Sequence, residues 1–110
     1  MPDHAEIVLT SEQLRRELED LAIRGLRASG AQRLTRLGML REEFERIGAA
    51  HLAQRIRCII ESIESDSPAA AAALLQAHCS LRLFQRILTL EVASEQLQML
   101  QSCAAAEDDA

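Results

Sequence analysis

The sequence predicts an all-α fold, an up-down bundle of four helices with a long or split last helix. Three observations carry this expectation. Apolar residues recur at spacings of three and four in four successive stretches, the period of an amphipathic helix. Strand-favouring residues are scarce, with two Val, three Thr, two Phe and no Trp or Tyr, so the core must be aliphatic. The breaks between the first three stretches are short, which favours antiparallel neighbours. At 110 residues with 48% hydrophobic content, the chain is one helical domain, 1–110, able to bury a single core.

Met1 to Leu9 reads as a lead-in, and residues 1–10 and 103–110 are expected to be flexible tails. Thr10 or Ser11 then offers an N-cap for a first helix from about Glu12 to Ala28. Leu14, Leu18, Leu21, Ala22 and Leu26 form its apolar side, and Ser29-Gly30 ends it, since glycine accepts the left-handed conformation of a helix C-terminus. The second helix runs from about Gln32 to Ile47, with Leu34, Leu37, Leu40, Phe44 and Ile47 on one side and Gly48 as its stop. Gly38 inside it is either a weak point of up to ~1 kcal/mol or a place where a neighbouring backbone comes close. The third helix, about Ala50 to Glu64, has a clean stripe of Leu52, Ile56, Ile59, Ile60 and Ile63. Ser65-Asp66-Ser67-Pro68 follows as a polar loop, an N-cap serine and a proline at the first helical position.

The fourth helix starts at Pro68 and extends towards Ser102, ~50 Å at 1.5 Å per residue. Ser94 is a possible second N-cap that would split it, and Leu88 to Val92 alternates in a way a strand also could. Helix is favoured because Ala69 to Leu75 is strongly helical and no turn residue intervenes. Ser11-Glu12-Gln13-Leu14 recurs as Ser94-Glu95-Gln96-Leu97 and reads as two helix starts.

The stretch Leu81 to Val92 singles this helix out. Its apolar side chains sweep an arc of ~200° at ~100° per residue, about twice the stripe a surface helix needs. Leu81, Phe84, Leu88 and Val92 form one face, and Leu83, Ile87, Leu90 and Leu97 the other. One face should pack on the remaining helices and the spare one should bind a partner, either a second copy or a larger subunit. Two antiparallel copies of the helix would supply such an interface. The partner interface is assigned to Leu81, Phe84, Leu88, Glu91 and Val92. Glu91 falls near the middle of the arc, where a carboxylate needs a counter-ion. Arg33 and Arg41 of the second helix are candidates, and a partner helix is the other source.

Charge and motif content exclude much else. The net charge of −5 disfavours non-specific binding to nucleic acid or anionic membranes. Arg24 to Arg57 is locally basic, eight Arg against three Glu, which leaves room for a patch of Arg33, Arg36, Arg41, Arg55 and Arg57 and for a nucleic-acid-binding regulator as an alternative. Against it stand Glu42, Glu43 and Glu45 on the same helix as the first three. All twelve basic residues are Arg, which together with abundant Ala matches GC-rich coding.

Cys58, Cys79 and Cys103 are odd in number and widely spaced, as in a reducing cytoplasm with free thiols. Cys58 and Cys79 read as small core residues. His51 and Cys58 share a face but lie ~10 Å apart along the axis. His78 and Cys79 diverge by ~100°. Neither pair makes a zinc site or an activated thiolate, so no metal and no cofactor is expected, although a thiol- or metal-dependent sensor is a further alternative. No Gly-rich phosphate loop, G-x-S-x-G or H-E-x-x-H occurs, and the chain reads as non-enzymatic. No signal peptide is expected at the start, and the uncharged run Ser67 to Leu81 is too short and polar to span a membrane.

Gly48-Ala49-Ala50-His51-Leu52-Ala53-Gln54-Arg55 and Leu81-Arg82-Leu83-Phe84-Gln85-Arg86-Ile87-Leu88-Thr89-Leu90-Glu91 resemble helical segments of bacterial proteins that carry SWIM-type zinc fingers. The finger itself, C-x-C followed by C-x-H, is absent. The resemblance therefore implies a bacterial helical accessory protein and transfers no functional residue.

Overall fold

The computed structural model describes residues 3–25 and 30–108, with side chains as far as Ala104. Its four helices are α1 (His4–Arg24), α2 (Ala31–Arg46), α3 (Ala50–Glu64) and α4 (Ala70–Asp108), and no strand occurs among the described residues. Each helix packs mainly on its neighbours in sequence, and α4 closes the ring against α1. Cross-helix pairs fix the directions. Arg46 meets Glu6 and Arg33 meets Asp20, so α1 and α2 run antiparallel. His51 with Ser80 and Arg55 with Gln76 set α3 against α4 in the same sense. Gln85 with Glu12 and His4 with Glu91 do so for α4 and α1. The result is the expected up-down bundle.

The largest departure from the sequence expectation is the start of α1. It begins at His4, so His4–Thr10 is helix and not a tail. Asp3 is the N-cap, and its carboxylate accepts the Glu6 N–H at 2.8 Å. Thr10 and Ser11 are buried in mid-helix. Their hydroxyls donate backwards to the carbonyls of Glu6 (3.0 Å) and Val8 (2.8 Å), which satisfies them without a cap. The helix stops at Gly25 (φ 87°), whose N–H donates to the Leu21 carbonyl. The expected stop used the same glycine chemistry further on; Leu26, Ala28 and Ser29 lie outside the described residues. Gly30 instead precedes α2 in extended conformation.

The other boundaries lie close to expectation, and α3 matches it at both ends. Gly48 (φ 86°) sits at the α2–α3 corner, where the Ala49 N–H donates to the Phe44 carbonyl and the Gly48 N–H to the Glu45 carbonyl. This is the paired closure that terminates many helices. Gly38 has no atom within 4 Å of where a Cβ would stand, so it serves no close backbone approach. Ser67 accepts the Ala69 N–H ahead of α4. No break occurs at Ser94, Leu88–Val92 is helix, and Cys103–Asp108 extends α4 instead of forming a tail.

The core is aliphatic around one aromatic pair. Leu14, Leu18 and Leu21 of α1, Leu37 and Leu40 of α2, and Leu52, Ile56 and Ile59 of α3 enclose Phe44, which meets Phe84 edge-on at 6.2 Å. The molecule measures 67 × 22 × 19 Å. The long dimension is that of α4, about 58 Å at 1.5 Å per residue.

Candidate partner interface on the last helix

α4 divides into a bundle segment and an extension. In the bundle segment, Ala70, Ala73, Ala77, Leu81 and Leu88 are buried and Phe84 is half-buried against Phe44. The alanines stand where α4 lies over α3 and α1, and the larger Leu81 and Leu88 follow on the same stripe. Leu81, Phe84 and Leu88, expected as partner-binding residues, thus belong to the subunit's own core; Val92 is half-buried at its edge. The sequence shows an arc too wide for one face but not which side the other helices will occupy.

Glu91 is the one member of that set that stays outside. Its side chain is 57% exposed, and the imidazole of His4 lies beside it, Nε2 to Oε2 at 3.9 Å. Neither expected arginine is its counter-ion. Arg33 is buried between α1 and α2, paired with Asp20 and 3.7 Å from Glu17, while Arg41 reaches Glu45 on its own helix. The free side of α4 is the opposite stripe. Leu75, Leu83, Ile87 and Leu90 stand exposed along the bundle, and Leu97 and Leu100 along the extension; Met99 is exposed too, but in line with buried Leu81. From Ala93 to Ala104 every side chain is exposed, because α1 begins and α2 ends near the level of Glu91; Ala93 and Gln96 still border the groove against the start of α1, and the helix beyond them projects past the bundle. Monomeric proteins rarely leave a continuous apolar stripe of this length uncovered.

No protein-family model, curated protein or solved structure shows significant similarity to this chain. The functional reading therefore rests on the side chains themselves.

The expected basic patch does not form an open surface. Arg36 pairs with Glu17 at 3.5 Å and Arg57 with Glu61 at 3.0 Å, while Arg55 donates to Gln76 at 3.0 Å. Arg46 bridges Glu6 and Glu43, and these carboxylates raise its pKa, Glu43 most. The Arg33 guanidinium in turn holds the Asp20 carboxyl below its usual range. Arg15 does the same for Glu12. Arg82 and Arg86 differ. Both are exposed on α4, and neither has an ion pair or hydrogen bond among the described residues.

The thiols and histidines form no site. Cys58 is half-buried, but Cys79, expected in the core, is exposed on α4, as is Cys103. His51 is within 3.3 Å of the Ser80 hydroxyl. No group of three metal-binding side chains converges among the described residues. A groove of about 450 Å³ between α1 and α4 is lined by Val8, Leu88, Val92 and the Gln85–Glu12 hydrogen bond. Its two hydroxyls, Ser11 and Thr89, donate to the backbone carbonyls of Val8 and Gln85, and its carboxylate, Glu12, is held by Arg15 and Gln85. Among the described residues no helix is long and apolar enough to cross a membrane.

Proposed function

We propose that this chain is a small non-enzymatic helical interaction module, an adaptor or accessory subunit that self-associates through the free face of α4. The observation that supports the reading is the coincidence of two features on one helix. An exposed apolar stripe runs along its outward side, and a segment of about four turns extends past Val92 with every side chain exposed from Ala93 to Ala104. An isolated helix of that length is marginal in water, so its ordered form calls for something to pack on.

Leu75, Leu83, Ile87, Leu90, Leu97 and Leu100 are each about half to two-thirds exposed. Covering them on two copies yields on the order of 10 kcal/mol gross, at about 1 kcal/mol per side chain. Association costs a similar amount. The expected self-association is therefore concentration-dependent. Free thiols fit a reducing cytoplasm as its setting. A bacterial accessory role, suggested by the two segments that resemble SWIM-associated proteins, is compatible with such a module. The nucleic-acid alternative through Arg33, Arg36, Arg41, Arg55 and Arg57 loses support because these side chains are engaged by carboxylates or by Gln76.

Light-scattering mass measured across protein concentration tests the reading. The wild-type chain should pass from monomer towards dimer, and the exposed-face variant Leu83→Glu/Leu90→Glu should remain monomeric with unchanged helicity. A wild-type chain that stays monomeric up to millimolar concentration would contradict self-association.

A further inference from the structure

We infer that the occupant of this face is a second copy of the chain, docked parallel and in register as a two-stranded coiled coil from Leu83 to Ala104. The inference rests on the self-association reading and adds its geometry. Leu83, Ile87, Leu90, Ser94, Leu97, Gln101 and Ala104 follow one another in alternating steps of four and three. That heptad seam is the one a second helix follows. All but the half-exposed Ile87 are solvent-facing on at least half their surface or lie on the unpacked extension.

The residue types point to two parallel strands. Leucine occupies one core position of the heptad at Leu83, Leu90 and Leu97, and β-branched Ile87 stands at the other, the combination that favours parallel dimers. Ser94 and Gln101 share the Ile87 position. In register, each polar layer meets itself, serine against serine and glutamine against glutamine, which fixes alignment at some cost in stability. The flanks are complementary in charge. In a parallel pair, the position before the Ile87 layer lies beside the position five residues further on in the other strand. These positions hold Arg86, without a partner among the described residues, and Glu91, which has no Arg partner and only the His4 imidazole at 3.9 Å. Two symmetric Arg86–Glu91 pairs result.

An antiparallel pair fits less well. It sets Leu83 against Ser94 and Leu97 against Ser80, and it leaves Arg86 beside Ala93. It also needs the extension of one copy to lie along Gln76 and Ser80 of the other, positions that α3 already occupies through Arg55 and His51. The seam is clear of the body of α3 from Leu83 onward; Ile87 and Glu91 still border a groove at the α2–α3 corner with Ile47, Gly48 and Ala49, and beyond Glu91 the seam runs outward. Two bundles therefore sit side by side at one end, with the two α4 helices wound together for about 33 Å from Leu83 to Ala104, about 18 Å of it along the extensions.

Cysteine cross-linking reads the geometry directly. In a full-length background with Cys58, Cys79 and Cys103 each replaced by Ser, Leu97→Cys should give a disulfide-linked dimer under mild oxidation, because in-register strands place position 97 against itself. A charge-swap series gives a second readout. Arg86→Glu and Glu91→Arg should each weaken dimerisation about two- to tenfold, and the double variant Arg86→Glu/Glu91→Arg should restore it. A dimer by mass that neither cross-links through Leu97→Cys nor recovers in the double swap overturns the parallel geometry while leaving self-association in place. A chain that is monomeric at all concentrations overturns both.

Discussion

The two parts of α4 share one continuous backbone and similar residues, yet they are held by different things. Between Ala70 and Val92 the helix lies on α1 and α3 and touches α2 through Phe44: Leu81 is wholly buried, Leu88 nearly so, and Phe84 meets Phe44. Between Ala93 and Ala104 it carries Leu97, Met99 and Leu100 into solvent, with only Ala93 and Gln96 bordering a groove against α1. The contrast separates residues that make the fold from residues that the fold leaves over. Apolar content does not distinguish them; the position of α1, α2 and α3 does.

Substitutions in the two parts should therefore have opposite consequences. The largest expected effect is Leu81→Ala, which removes a fully enclosed side chain and should cost about 2–5 kcal/mol in denaturant unfolding. Leu97→Ala should leave subunit stability within about 0.5 kcal/mol at concentrations where the chain is monomeric. If Leu97→Ala destabilised the monomer as Leu81→Ala does, the distinction would fail. Next in size is Arg33→Ala. It leaves Glu17 and Asp20 without their shared cation at the α1–α2 contact, and chemical denaturation should record a loss of about 1–3 kcal/mol. Arg82→Ala, a cation with no such partner, should change subunit stability by less than about 0.5 kcal/mol.

The smallest expected effect is one of pH. The Arg33 guanidinium lowers the Asp20 carboxyl, and Arg15 lowers that of Glu12. The unfolded chain thus binds more protons than the folded one between the depressed folded values and the ordinary carboxyl values. Stability from these groups is present above the ordinary carboxyl range and is lost as pH falls through the folded values. Acid titration of unfolding should show this slope, and Asp20→Asn should flatten it. An unchanged slope would mean that the pair contributes nothing measurable.

The sequence makes the helices legible where their ends are punctuated and fails where the same residue types serve two purposes. α3 is readable at both ends because Gly48 and the Ser65–Pro68 loop have no other use. α1 is misread because Thr10 and Ser11 resemble caps while their hydroxyls bond back to the preceding turn. Asp3 followed by Glu6 three residues on is the cap signature that was there to be read. On α4 the width of the apolar arc is legible, but its inward half is not, since that depends on where three other helices settle. The alanines at 70, 73 and 77, continued by Leu81, Phe84 and Leu88, mark the packed stripe when the pattern is followed back to the helix start. The partners of Glu91 and Arg33 were not legible. Ion pairs depend on which helix ends meet, and α1 meets α2 where Asp20 faces Arg33.

Residue-resolved hydrogen exchange along α4 tests the central claim most directly. If the extension is covered by a second copy, amides from Ala93 to Ala104 should gain protection as protein concentration rises, while those around Leu81 stay protected throughout. Fast exchange from Ala93 to Ala104 at every concentration, with no change on going from dilute to concentrated protein, would contradict it.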